Sequence, residues 1–240
     1  MGKRLITQRR GRGTSTYKSP SHRFKGKIKN RTLDDQEKEG VVYGTVKDLI
    51  DCPGHRAPLA LVKYNKGEAL ISAPLGVKVN GIVASGSTAP VQTGNTLPLV
   101  NIPEGTLIYN IEIAPGDGGK LVRTSGSFAK VISKTSERVT IILPSRKQKK
   151  INAKCRATIG VIAGGGTKEK PILKAGKKMH AMRAVNKLYP KTSGVAMNAV
   201  DHPFGSGRGR HAGKPKTAPR WAPAGRNVGL IRAKRTGKRK

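Results

Sequence analysis

The chain has 240 residues, 35% of them hydrophobic, and its 48 Lys and Arg against 13 Asp and Glu give a formal net charge of +35. So large a charge opposes compaction unless a polyanion neutralises it, which makes nucleic acid the leading partner. A membrane partner is not expected, because the sequence has no apolar run of about 18 residues, no basic amphipathic helix and no signal-peptide core; a cytoplasmic, untargeted protein fits.

The charge is unevenly spread. Residues 1–31 hold 11 basic and no acidic side chains, residues 32–175 hold 20 against 12, and residues 176–240 hold 17 against 1. A nearly balanced globular centre therefore lies between two cationic extensions. Such extensions bury too little apolar surface to offset chain entropy, and are expected to be disordered alone and to order on binding. Cys52 and Cys155 are some hundred residues apart in a chain without secretory features. Both are expected to be small buried hydrophobes in a reducing compartment, not a disulfide.

The basic N-terminal extension, residues 1–36, mixes glycine with Arg4, Arg9, Arg10, Arg12, Arg23 and Lys25, the composition of an RNA-binding arm. Tyr17 and Phe24 have two readings there, stacking on unpaired bases or docking on the protein's own core. The acidic patch Asp34-Asp35-Gln36-Glu37-Lys38-Glu39 reads as a solvated boundary. Strand signals follow at Val41–Val46, Leu59–Lys63, Glu68–Ala73 and Val77–Ala84, with Tyr64-Asn65-Lys66-Gly67 closing a hairpin.

The stretch from Gly94 to Gly105 holds two prolines and two glycines and reads as a connection between two β units. Thr106–Ile113 alternates as a half-buried strand, with Leu107, Tyr109, Ile111 and Ile113 on one face and Ile108, Asn110 and Glu112 on the other. Phe128–Ile132, Arg138–Leu143, Lys149–Ala153 and Thr158–Ala163 complete the series. Short, closely spaced strands argue for small antiparallel barrels or sandwiches, placed here as two modules at 37–97 and 98–172. The basic, glycine-rich C-terminal extension, residues 173–240, carries a short helix somewhere in 172–188, around Lys177, Lys178 and Arg183.

The most informative run is 194–216, where Asn198, Asp201 and His202 precede glycines at 205, 207, 209 and 213 interleaved with Arg208, Arg210, His211, Lys214 and Lys216. Glycine lets the backbone approach a partner closely, and the cations face that partner. Beyond it, Arg220 and Trp221 add a cation and an aromatic surface. Asp201-His202 could supply an acid–base pair for an RNA-processing enzyme. Neighbours in an extended chain point to opposite sides, however, and the single carboxylate of this region cannot hold a nuclease metal. RNA contact is the preferred reading, with His202 donating to phosphate or base and Asp201 tying the loop.

Other motifs fail on spacing. Gly116 to Lys120 lacks the first glycine and the Ser/Thr of a phosphate loop, since position 114 is Ala and position 121 is Leu. Gly164–Gly166 lacks the dinucleotide order. Cys52-Pro53-Gly54-His55 offers half a zinc site with no second pair to complete it. A DNA-compacting protein is disfavoured by the sizeable β centre.

Met197-Asn198-Ala199-Val200-Asp201-His202-Pro203 and the following glycine run resemble the signature of the universal large-subunit ribosomal protein two family. The similarity extends through Gly94–Pro103, Pro115–Gly119, Arg123–Gly126 and Cys155–Gly160, and so spans nearly the whole chain. Phe204 stands where bacterial members carry His, and Ser206 lies inside the usual glycine triplet, features of archaeal or eukaryotic kind. The resemblance implies a mainly β fold, an OB-like RNA-binding barrel followed by an SH3-like barrel, with both extensions threaded into large-subunit rRNA. It further implies a structural ribosomal component in the cytoplasm, not an enzyme. That component would support subunit association, tRNA binding and the peptidyl transferase region, with the family's much-discussed histidine matching His202. The expected partners are large-subunit rRNA, other ribosomal proteins and the small subunit, with no small-molecule substrate. No cofactor is expected, Mg2+ entering only as rRNA-associated ions.

Overall fold

The computed structural model describes residues 2–167, 169–207, 209 and 211–233. They fall into two compact units, Ser21–Pro171 and a second made of the residues up to Pro20 with those from Ile172 onward.

The first unit is mainly β, the class expected from the sequence. Its ten strands are β1 (Val41–Ile50), β2 (Leu59–Tyr64), β3 (Gly67–Ser72), β4 (Ile82–Gly86), β5 (Thr96–Pro98), β6 (Leu107–Tyr109), β7 (Ala129–Lys134), β8 (Arg138–Ile142), β9 (Gln148–Asn152) and β10 (Arg156–Ile159). They hydrogen-bond in the order β3-β2-β1-β4-β5-β10-β6-β7-β8-β9. The hairpin at Tyr64–Gly67 forms as expected, with Leu59 opposite Ser72 and Tyr64 opposite Gly67, whose φ of 121° no side chain adopts comfortably. Bulges between Val46 and Asp48 in β1, and between Val131 and Ser133 in β7, bend those strands around their cores.

Two apolar clusters carry the packing. Val42, Val46, Ala60, Val62, Tyr64, Ile71 and Val83 fill the first, under β1–β4. Leu97, Leu99, Ile102, Ile108, Ile111, Val131, Val139, Ile141, Cys155 and Ile159 fill the second, under β5–β10. Cys52 and Cys155 are buried free thiols, as expected, and burial pushes the Cys155 thiol up to about 11. Phe24 resolves to its docking alternative: it packs against Ile28, Cys52, Leu59 and Leu70, and a side chain at Gly54 would meet its ring at 2.9 Å.

The structure corrects several sequence expectations. The stretch between the two glycines at 94 and 105 contains β5 and a 3-10 turn, Leu99–Asn101, because Leu97, Leu99 and Ile102 all enter the core. β4 begins at Ile82, not Val77, since Asn80 turns into the left-handed region at φ 63°. β6 stops at Tyr109 because Asn110 has φ 46°, and β10 stops at Ile159 because Gly160 has φ 110°. Thr106–Ile113 is not half-buried, as Ile108, Tyr109, Asn110, Ile111 and Glu112 are all buried while Ile113 is exposed.

The acidic patch is solvated, as expected, at Asp35, Gln36, Lys38 and Glu39, but not at Glu37. Asp35–Glu39 forms a helix, α2, capped by the Asp34 carboxylate, which accepts the Glu37 amide at 3.1 Å. Glu37 is fully buried and accepts Arg156 Nη1 at 2.8 Å, Arg31 Nη1 at 3.1 Å and the Ser85 hydroxyl. Two of these partners, Ser85 and Arg156, are 48 and 119 positions away, which local composition cannot reveal.

Candidate nucleic-acid interface

The second unit gathers residues 2–20 of the N-terminal extension with the C-terminal extension, while residues 21–36 belong to the first unit. Ile6–Gly11 forms a short helix, here α1, whose start is held by the Leu5 amide donating to Gln8 Oε1 at 2.8 Å. Arg9 and Arg10 fall in its last turn, where cations favour the helix dipole. Leu5, Phe204 and Val228 bury one another with Val195 and Ala212 packed beside them. Individually the extensions are too polar to fold, but residues widely spaced in sequence pool their few apolar side chains. A parallel bridge between Thr217 and Leu230 ties the tail, the Leu230 amide donating to Lys216 O at 2.8 Å.

Within this unit Asn198–His202 forms a tight turn, the Asp201 and His202 amides both donating to Asn198 O, at 2.9 and 3.2 Å. Asp201 turns to Lys3, Oδ1 to Nζ 3.6 Å. His202 Nδ1 accepts the Phe204 amide at 3.0 Å, and the two rings lie tilted with centroids 5.3 Å apart. Gly194 lies against the imidazole so closely that a Cβ there would collide with it. Burial holds the His202 pKa below its ordinary value, which favours the neutral ring. With Nδ1 accepting, the neutral ring carries its proton on Nε2 as a hydrogen-bond donor. The pair is therefore built to present a donor, with the carboxylate engaged elsewhere.

Arg4, Arg9, Arg10, Arg12, Lys177, Lys178, Arg183, Asn198, His211, Lys214, Lys216, Arg220 and Trp221 are all exposed in this unit, and His202 is half-buried. Arg208 and Arg210 lie outside the described residues. The helix foreseen in 172–188 is α3, Ala175–Ala184, and it buries no residue. Lys177, Lys178 and Arg183 lie exposed on it, the Lys178 ammonium 5.3 Å from the Tyr189 ring centroid. Trp221 is 87% exposed with the Arg220 guanidinium 5.4 Å from its ring centroid, which leaves a flat aromatic face in a cationic setting.

Arg23 and Lys25 belong to the first unit and are exposed there. That unit carries a further cationic feature that sequence reading missed, an open groove of about 1030 Å³ lined by Arg56, Lys120, Arg123, Lys130 and Arg146 around a half-exposed Phe128. Arg123 is braced by Nη2 donating to Ile28 O at 3.0 Å. These five cations come from three loops and one strand, so no local charge run announces them. The glycines before Lys120 also have a visible purpose: the Gly116 and Gly118 amides donate to Glu112, each at 3.1 Å, and so bind a carboxylate of the chain itself.

Comparison with known proteins agrees with this architecture. The family model "Ribosomal Proteins L2, RNA binding N-terminal domain" matches residues 2–85, and "Ribosomal Proteins L2, C-terminal domain" matches residues 92–222. The chain is 58% identical over 241 residues to the large ribosomal subunit protein uL2 of Methanothermobacter thermautotrophicus, with 100% of each chain covered. The uL2 proteins of Methanosphaera stadtmanae and Methanocaldococcus jannaschii are each 54% identical, again over the full length of both chains. These organisms accord with the archaeal character of Phe204 and Ser206, and the relatives are named as ribosomal components, not enzymes. The chain belongs to the ribosomal protein L2 family.

Proposed function

We propose that this protein is an rRNA-binding structural constituent of the large ribosomal subunit. The observation that carries the reading is the second unit's arrangement, a small buried core from which every described cation of the 194–216 run, the helix α3 and Trp221 project into solvent. Side chains so disposed suit phosphate contact and base stacking, and the 2′-hydroxyl-bearing, irregular surface of folded rRNA offers both. Partners of this kind include other ribosomal proteins packed on the same RNA.

The same reading extends to finer roles: support of tRNA binding and of the peptidyl transferase region by the His202 loop, and of subunit association by contact with the small subunit. His202 contributes its Nε2 proton as a hydrogen-bond donor to RNA and performs no turnover of its own. Mg2+ enters only with the RNA. The test compares the purified chain's affinity for large-subunit rRNA and for duplex DNA of equal length. Preference for rRNA is expected, and equal affinity would favour a general nucleic-acid compactor. Particles carrying His202→Ala are expected to lose peptidyl transfer or tRNA affinity while the free protein shows no activity with or without the substitution.

A further inference from the structure

The N-terminal arm is strongly cationic, yet it carries two adjacent apolar residues, Leu5 and Ile6. Phosphate contact has no use for them. In the structure Leu5 is buried against Phe204 and Val228, and Ile6 lines the same cavity as His202 and Phe204, about 440 Å³ in volume. Two residues earlier, the Lys3 amide donates to Val200 O at 2.8 Å while its ammonium faces Asp201. The arm therefore grips both flanks of His202: the backbone just before it, and the ring of Phe204 just after it. Phe204 in turn supplies the amide that fixes His202 Nδ1.

We propose that the N-terminal arm is a clamp that holds the His202 loop in its RNA-facing shape before RNA binds, with Lys3 and Leu5 as positioning residues for His202. The claim that this shape serves RNA rests on the function proposed above; the clamp itself does not. Its parts are unequal. The Lys3–Asp201 pair is exposed at 62% and 41% of its side-chain surface, so water and salt screen it and it contributes little. Leu5 burial and the Lys3 amide bond carry the effect, together worth about a tenfold or larger bias toward the closed loop. Val228 and Val195 pack on the same cluster from the C-terminal side, the Arg226 guanidinium lies 5.8 Å from the Phe204 ring centroid, and Gly194 and Gly205 give close approach at the imidazole and at Asn198 O, but of these contacts only the arm's reach both flanks of His202.

Hydrogen exchange of the full chain without RNA, with NMR titration of the His202 ring, tests this directly. Leu5→Ser is expected to speed exchange of the Phe204 amide by about tenfold or more and to move the His202 midpoint up into the ordinary histidine range. Leu5→Met should leave both near wild type, and Lys3→Met should change them little. Amides of β2 and β8 serve as controls that the first unit is intact. Unchanged Phe204 exchange and His202 titration in Leu5→Ser, with those controls intact, would overturn the clamp. If Leu5→Ser loses the protection but keeps full affinity for large-subunit rRNA, the clamp stands and the proposed role of the loop in RNA binding fails.

Discussion

Arg156 Nη2 lies 2.7 Å from Glu112 Oε1, and the two side chains are 1% and 0% exposed. The same guanidinium reaches Glu37 Oε1 at 2.8 Å and Arg31 O at 2.9 Å, while the Arg156 amide donates to Glu112 Oε2 at 2.9 Å. One buried cation on β10 thus joins the segment that follows β6, the α2 helix and the Arg31 backbone. Arg31 continues the chain of charges outward to Asp34.

Removing Arg156 leaves Glu112 buried without a cation and Glu37 with Arg31 as its remaining one. Arg156→Met is expected to destabilise the first unit by about 3–5 kcal/mol, read as a lower urea midpoint with an unchanged m-value. Adding Glu112→Leu and Glu37→Met to that variant should recover part of the loss, because the uncompensated charge, and not the missing attraction, is the main cost.

Asp34 carries the pH dependence. Its hydrogen bond from Arg31 holds the carboxyl down at about 2, below the ordinary aspartate value of 3.8. A folded pKa depressed in this way contributes stability that is present above the unfolded value and lost as pH falls through the folded one. Protection of the Glu37 amide, which Asp34 caps, should therefore be full near neutral pH and decline between about 4 and 2. In Asp34→Asn, lower protection is expected at neutral pH, with the decline in that window absent.

His202 follows the same sign in a higher pH window. Its folded pKa is depressed by burial, so the unfolded loop binds more protons and the loop's stability rises with pH across the window below 6.5. Gly194→Ala places a methyl group in the imidazole's position and should displace the ring into solvent, raising its midpoint. NMR titration of the two forms reads this, and coincident midpoints would contradict the packing described.

Gly44 in β1 has no room for a side chain, as a Cβ would meet Tyr64 and Val62 at 2.6 Å. Gly44→Ala is expected to cost about 1–3 kcal/mol by overpacking, measured as a lower thermal midpoint.

Regular strands were legible where local pattern and tertiary demand agree. β2, β3, β8 and β9 alternate or cluster apolar residues between turn signals, and the structure keeps them within about two residues of expectation. β5 was hidden because three residues beside prolines carry no period. Glu37 read as surface because its neighbours are acidic and exposed; what buries it is Arg156, 119 positions away. The cations of the glycine-rich run were visible by composition alone, whereas the Arg56–Arg123 groove and the Leu5–Phe204 contact depend on separations that one-dimensional reading does not reach. The motif around Asp201 and His202 was legible, but the partner of each was not: Lys3 for the carboxylate and the Phe204 amide for the ring.

The central claim is that the exposed cations of this chain bind large-subunit rRNA, and the salt dependence of that binding tests it most directly. The logarithm of the affinity should fall linearly with the logarithm of salt, by about 0.7 to 0.9 for each phosphate neutralised. Lys216→Ala and Arg220→Ala should each make the slope shallower by about 1, while Trp221→Ala should cost about 1–3 kcal/mol of affinity with the slope unchanged. An affinity insensitive to salt, or slopes unmoved by loss of these cations, would contradict the account.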